Sequence, residues 1–493
     1  MPNPNKPPRR HTGLIVFLII LMLLMIAGTG LMIKLCLDIT DKRVQAKPST
    51  SQTTLPTAAP VPTETEPPET TLPTPEHVVS TATIVSTGDL LMHMPVIDTC
   101  YKGGSYDFES IFRYLSEYTM DADLAVANLE TTLCSNDNGY PYHGYPHFNC
   151  PDGIVDSAKD AGFDILLNAN NHSYDTRSVG MHRTIEVIRD RGLIPLGIVD
   201  TDDEKRYTVQ NLNGINIGMI CYTWRDHRGG GDVSLNLNAP VDVADRTLIN
   251  TFDYSELDSF YAELSTRLEE MKADGAEATI IYMHWGTENQ LFANDIQKKM
   301  AQKICDLGVD VLIGGHPHVV QPMDLISSTT DEDHKMVCLY SMGNAVSNQR
   351  LGNLKSINTA HTEDGVLFSV TFSKYSDGTV YLESTDLLPL WVYRRSDGTG
   401  NEYNIMPLDM ERRDEWTSWM NFQEYHAAAA ENSYNRTMAI VGEGLTACQE
   451  YLKGQYEARE EYYYDLAFHP EKYATEPTQA PTEAETTAET VAP

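Results

Sequence analysis

Six short apolar runs in this sequence are each followed at once by residues able to hold a metal ion or move a proton. Gly88 and Asp89 follow Ala82–Thr87, and Asn128 and Glu130 follow Leu124–Ala127. Beyond the run that ends at Leu167 come Asn168, Asn170, Asn171 and His172, and then Asp175. His284 and Glu288 follow Thr279–Met283, while Gly314, Gly315, His316, Pro317, His318 and then Gln321 follow Val309–Ile313. Ser341, Gly343 and Asn344 follow Met336–Tyr340. Taken singly, each has an ordinary explanation: an aspartate caps a helix or makes a turn, and a lone histidine after a strand is commonly a satisfied imidazole. His316 and His318 are more specific, because two imidazoles around a proline, entered through glycines, can address one metal cluster without strain. Six such clusters in the same place relative to six runs argue for a shared site.

The donors are carboxylate, amide oxygen and imidazole, a mixture that suits one or two borderline divalent ions such as Mn²⁺, Zn²⁺ or Fe²⁺. Two ions bridged by a carboxylate could activate water and neutralise charge on a phosphate-like group. A histidine beside the ions but not bound to them could protonate a leaving oxygen.

Positioning these residues requires a layered α/β body, in which ligands gather where strands end and loops share a crevice. β-Branched runs predict strands at Ala82–Thr87, Leu124–Ala127, Asp164–Leu167, Ile194–Gly197, Ile215–Tyr222, Thr279–Met283, Val309–Ile313 and Met336–Ser341. Apolar spacings of three and four predict helices over Tyr254–Ala273 and Asp295–Leu307. Asn211–Ile215 reads as a hairpin turn, and Val366–Phe372 with Thr379–Leu382 adds antiparallel strands. From about Met410 to Tyr464 the chain turns helical. Hydrophobic residues make up 41% of the chain, enough for a sizeable core. Eight cysteines in 493 residues, with no CxxC pair, give neither a disulfide framework nor a structural zinc site. Cys134 and Cys150 flank a Gly/Pro/Tyr-rich loop and could bridge it in an oxidising compartment; idle thiols are the equal alternative.

The ends of the chain differ from its middle. Gly13–Ile33 is an uncharged apolar run of 21 residues, long enough to cross a hydrocarbon core of roughly 30 Å as a helix. Basic residues flank it on both sides, so their count does not set its orientation. The stalk-like composition beyond the run places the rest of the chain outside. From about Lys47 to Glu76, and again from Thr475 to Pro493, the composition is Pro/Thr/Glu-rich and predicts extended, disordered stalks. The expected organisation is a short cytoplasmic terminus (1–12), a membrane anchor (13–33) and a disordered linker (34–77). A globular domain (78–408), a helical appendage (409–469) and a disordered acidic tail (470–493) complete it. Such a chain is a single-pass protein of the cell membrane with its globular part extracytoplasmic. With 36 Lys+Arg against 70 Asp+Glu, a formal charge of −34, it repels nucleic acid.

The ordered set GD, NLE, NNH, HWG-x-E, G-x-HPH and S-x-GN resembles the CapA family, named for poly-γ-glutamate capsule synthesis, from about Thr83 to Leu388. The resemblance implies a metallophosphoesterase-like four-layer sandwich, two packed mixed β-sheets flanked by helices, with metals at strand ends. It would make Asp89 a ligand of the first metal, Glu130 the bridge, and Asn171, His284 and His316 ligands of the second. His318 would turn to the first metal, and His172 would be the proton donor. Asn128, Asn170, Asp175, Glu288, Gln321 and Asn344 would orient ligands or contact substrate. Two departures stand out: Leu91 occupies a position where the wider phosphoesterase pattern has histidine, and Ala345 follows the GN pair where an aromatic is common. The implied function is a metal-dependent hydrolase or transferase acting on an envelope polymer, polyglutamate or polysaccharide, or its precursor. The alternative is a non-catalytic scaffold beside membrane-bound polymer-synthesis subunits.

Overall fold

The computed structural model describes residues 74–228, 232–236, 239–353, 359–396, 401–419 and 424–473. The expected anchor at 13–33, the linker up to residue 73 and the tail from residue 474 lie outside the described residues. Among the described residues no helix is long and apolar enough to cross a membrane.

The strands that matter here are, in chain order, β1 (Val78–Leu90), β2 (Leu124–Asn128), β3 (Ile165–Leu167), β4 (Ile194–Leu196), β5 (Thr208–Leu212), β6 (Ile215–Trp224), β7 (Thr251–Phe252) and β8 (Ala278–His284). They continue with β9 (Val311–Gly315), β10 (Met323–Ser327), β11 (Lys335–Leu339), β12 (Asn344–Val346), β13 (Asp364–Tyr375), β14 (Val380–Ser396) and β15 (Asn401–Pro407). The principal helices are α1 (Gly153–Asp160), α2 (Arg177–Asp190), α3 (Leu257–Ala273), α4 (Asp295–Asp306) and α5 (Glu424–Phe468).

Successive side chains of a strand point to opposite faces, and here each face has its own apolar partner. Ile84, Val126 and Ile165 of one sheet meet Met219, Ile280, Ile313 and Leu339 of another in a shared core. Their neighbours Val85, Ala125 and Leu166 turn outward against Ile154 and Val155 of α1 and Val187 and Ile188 of α2. On the far side Ile220, Ile281 and Leu312 meet Phe260 and Leu264 of α3 and Met300 and Ile304 of α4. The layering is therefore helix, sheet, sheet, helix. The first sheet runs β15-β14-β13-β1-β2-β3-β4, parallel from β1 to β4 and antiparallel from β1 to β15, with β12 parallel beside the end of β1. The second runs β7-β6-β8-β9-β11-β10, parallel except for its edge strand β10 and the hairpin strand β5. This is a mixed α/β architecture with two mixed sheets, and the parallel strands of both point their carboxyl ends towards the predicted ligands.

The helical region after residue 409 takes part in the core. α5 places Val441, Leu445, Cys448 and Leu452 between the two sheets and packs on β14 of one and β10 of the other. Its Arg436 grips the buried carboxylate of Asp364 with Nε 2.8 Å from Oδ2 and Nη2 2.6 Å from Oδ1, and Ser433 adds a third bond at 2.6 Å. The seven cysteines among the described residues are all free and buried, so Cys134 and Cys150 form no bridge.

Close approach of α5 to β10 depends on Gly444, where a Cβ would lie 1.7 Å from the carbonyl oxygen of Met323. Gly444→Ala should therefore destabilise the protein by about 1–3 kcal/mol through overpacking, although alanine is the better helix former. Urea unfolding followed by tryptophan fluorescence measures this; stability equal to or above the parent would show that α5 does not rest on that strand.

Candidate metal centre

The centre begins as a row of three residues on neighbouring strands. Asp89 of β1 is in register with Asn128 of β2 on one side and with Asn344 of β12 on the other. The strands come this close because Gly88 faces Gly343 directly: a Cβ at Gly88 would lie 1.9 Å from the Gly343 oxygen. Asn128 donates to Asp89 Oδ1 at 2.7 Å, and Asn344 donates to the backbone oxygens of His318 at 3.1 Å and Thr362 at 3.0 Å.

Glu130 comes two residues after β2 and is fully buried, yet neither of its carboxylate oxygens meets a hydrogen-bond donor. Imidazoles from the second sheet stand around it. His284, at the end of β8, has Nε2 3.6 Å from Glu130 Oε1 and 2.8 Å from the side-chain oxygen of Asn171. His318 bridges the carboxylates, with Nδ1 3.1 Å from Asp89 Oδ2 and Nε2 3.9 Å from Glu130 Oε1. The His316 ring lies 4.8 Å from that of His284, and its buried Nδ1 has no partner. His316 and His318 sit at φ of +94° and +55°, conformations that non-glycine residues adopt at a cost and that concentrate at functional sites. The first of the two glycines before them is needed as such: a Cβ on Gly314 would lie 1.9 Å from the Tyr340 oxygen. Donor atoms of Asp89, Glu130 and His318 fall within 4.8 Å of one another, as do those of Glu130, His284 and His316, so Glu130 belongs to both groups.

His172 occupies the rim. Its Nδ1 is 2.7 Å from Asp175 Oδ2, and the ring meets Phe148 edge-on at 4.6 Å. Asp175 also accepts from the Phe148 backbone at 2.6 Å and from Asn236 at 3.3 Å. Asn170 ties this corner to the row below, donating to Asn128 Oδ1 at 3.2 Å and accepting from the His172 backbone at 3.1 Å. Gln321 stands apart from the cluster, spending its amide on Gln290, Phe292 and Gln297 and bracing the loop after β8, whereas Glu288 is exposed but near enough for its charge to act on Glu130 and His318. Leu91 is buried and apolar, and His93 packs edge-on against Phe148 without joining either donor group. Asn236, Phe148 and Trp224, whose ring packs on His316 at 5.7 Å, are not among the expected residues: Asn236 and Phe148 reach the site from loops whose return path only the fold reveals, whereas Trp224 ends β6, where the strand-end pattern points to it.

Burial and mutual charge set the protonation states. Burial works against the Asp89 carboxylate, but the hydrogen bond and charge of His318 outweigh it and hold its pKa below the usual range. Glu130 is driven well above that range by burial first and by the charges of Asp89 and Glu288 second. Burial pushes His284 down to about 3, against the pull of Asp89, and drives His316 well below its ordinary value with help from His284 and His318. For His318, burial is overcome by the bond and charge of Asp89, and its pKa is raised. His284 and His316 are thus neutral and offer lone pairs. A buried carboxylate with no donor is costly unless it is neutralised. Neutral imidazoles, an amide oxygen and a second carboxylate around such a group fit divalent cations.

The family described as bacterial capsule synthesis protein PGA_cap matches residues 83–349, more than half of the chain. The chain belongs to this CapA family. Every residue of the centre lies inside the matched span. The capsule biosynthesis protein CapA of Bacillus anthracis is 25% identical over 311 residues, 62% of this chain and 67% of that one. The PGA biosynthesis protein CapA of Bacillus subtilis (strain 168) is 26% identical over 264 residues, 53% of this chain and 62% of that one, so this chain spans less than two thirds of the latter. Among solved structures, the Thermus thermophilus sulfate thiohydrolase SoxB in complex with glycerol aligns with a TM-score of 0.34 and 12% identity, over 73% of this chain and 60% of that one; so loose a superposition carries no argument about chemistry.

If Glu130 is there to meet cations, its charge is a burden to the metal-free protein. Glu130→Gln should stabilise the chelator-treated chain by about 1–2 kcal/mol and abolish divalent-ion binding. Urea unfolding reads the first effect and elemental analysis the second. Loss of stability in the metal-free variant would mean that Glu130 is a structural group.

Proposed function

We propose that this chain is a divalent-metal-dependent hydrolase or transferase acting on a capsule or envelope polymer, or its precursor, outside the cell membrane. The observation that carries this reading is Glu130, a buried carboxylate without a donor and common to two donor groups. In this reading Asp89, Glu130 and His318 hold one ion, and Glu130, Asn171, His284 and His316 hold another. When bound, such ions supply Lewis acidity to a phosphate-like or carbonyl group. The protein's own contribution is orientation and proton handling. With Nδ1 committed to Asp175, His172 keeps Nε2 free to carry a proton to a leaving oxygen. Phe148 against its ring limits water and fixes the ring plane. Membership of the capsule synthesis family supports a polymer substrate, and the apolar run at 13–33 supports a tether that leaves the body extracytoplasmic. For an anionic polymer such as polyglutamate, the formal charge of −34 makes the ions necessary for approach as well as for chemistry.

His172→Ala should keep the ions of the full-length chain and lower turnover by about 10²–10⁴-fold. The substrates to assay are a phosphodiester chromogen, poly-γ-glutamate and capsular polysaccharide. A metal-loaded parent that turns over none of them would leave a non-catalytic scaffold of polymer-synthesis subunits as the better account.

A further inference from the structure

The two donor groups are unequal. With Glu130 shared, one side has three further side chains, Asn171, His284 and His316, but the other has only Asp89 and His318. Three donors leave a divalent ion of this kind with at least one open position, which water or a further side chain can fill.

Asn344 stands beside this poorer group. It is fully buried and in register beside Asp89 on the neighbouring parallel strand, so the two side chains share a face at the same level. Its amide nitrogen donates to two backbone oxygens, those of His318 and Thr362. That arrangement settles which end of the amide is which, and it turns Oδ1 away from both carbonyls. Oδ1 then meets no donor in good hydrogen-bond geometry, the His318 ring being the polar group that faces it, and an amide oxygen buried so poorly partnered is costly. The other asparagines of the centre are satisfied. Asn128 Oδ1 accepts from Asn170, Asn170 Oδ1 accepts from the His172 backbone, and Asn171 Oδ1 faces His284 Nε2. Among them, Asn344 alone keeps an oxygen without a well-placed donor.

We infer that the side-chain oxygen of Asn344 is a direct donor to the ion on the Asp89 side of the centre. This rests on the metal-dependent reading above and adds a ligand to it. The two ions then differ in kind. The His284 side is rich in nitrogen, and the Asp89 side, with Asp89, Glu130, Asn344 and His318, is rich in oxygen and favours Mn²⁺ or another hard ion.

The test is ion stoichiometry and affinity in the full-length chain in detergent, read by elemental analysis and by calorimetric titration with Mn²⁺ and Zn²⁺. Asn344→Leu removes both ends of the amide; Asn344→Asp keeps an oxygen donor and removes the N–H groups. Expected are two ions in the parent, two in Asn344→Asp, and one in Asn344→Leu, with the second site weakened about 100-fold or more. Retention of both ions in Asn344→Leu at parental affinity overturns the inference. Equal loss in both variants also overturns it, because a residue that only braces the His318 backbone would fail in both. Should Asn344→Leu not fold, Asn344→Ser, too short to reach an ion, replaces it with the same readings. A folded parent that binds no ion removes the metal-dependent reading itself, and this inference with it.

Discussion

Glu130 sits where water does not reach and where no group of the protein offers it a proton to share. Its nearest polar neighbours are a second carboxylate and imidazoles from the opposite sheet, and burial strips His284 and His316 of their charge. No ordinary packing argument explains such a group, because an apolar residue of the same size would serve the core better. Much of the surrounding architecture is the means of reaching and holding that one carboxylate. The glycine contact between β1 and β12, Gly314 ahead of His316, and two histidines in left-handed backbone all serve to close the distance between strand ends. Strain of this sort is tolerated when the surrounding structure over-determines it, and here both sheets and the flanking helices do so.

Family membership and geometry answer different questions. The match over residues 83–349 shows which family the chain belongs to; it says nothing about what the body after residue 349 contributes. The structure shows that β13, β14 and α5, all beyond the matched span, complete the first sheet and fill the space between the two. Asp364, gripped by Arg436 of α5, stands two residues from Thr362, whose carbonyl orients Asn344. The helical region is thereby linked through packed, hydrogen-bonded groups to the floor of the centre.

The strands that carry the site were legible because each is a short β-branched or apolar run cut off by glycine or a polar residue, so period and boundary agree. Where the reading fell short, the cause was tertiary. β1 begins at Val78, well before the expected Ala82, because its polar first half is held by an antiparallel ladder with β13 that no local pattern announces. β12 is three residues long and exists only because β1 is beside it. α2 hides its inward stripe of Met181, Ile185 and Ile188 among arginines and acids. In the site, the residues named from strand ends converge because topology brings strand ends together. Gln321 shows the limit of that logic, since a polar side chain after a strand can equally well brace a neighbouring loop. Asn236 shows the converse: it lies far along the chain from His172 and gains its role only from the path of the ribbon that carries it.

Asp89, Glu130 and Asn171 hang from the first sheet, and His284, His316 and His318 from the second. Elsewhere α5 lies across both sheets and is covalently continuous with one of them. The sandwich is therefore sewn along one seam by polypeptide, while at the other the two sheets meet through the donor side chains of the centre. If the proposed cations settle there they clasp that second seam, and scarcity of metal would register first as a loosened jaw and only later as a lost fold.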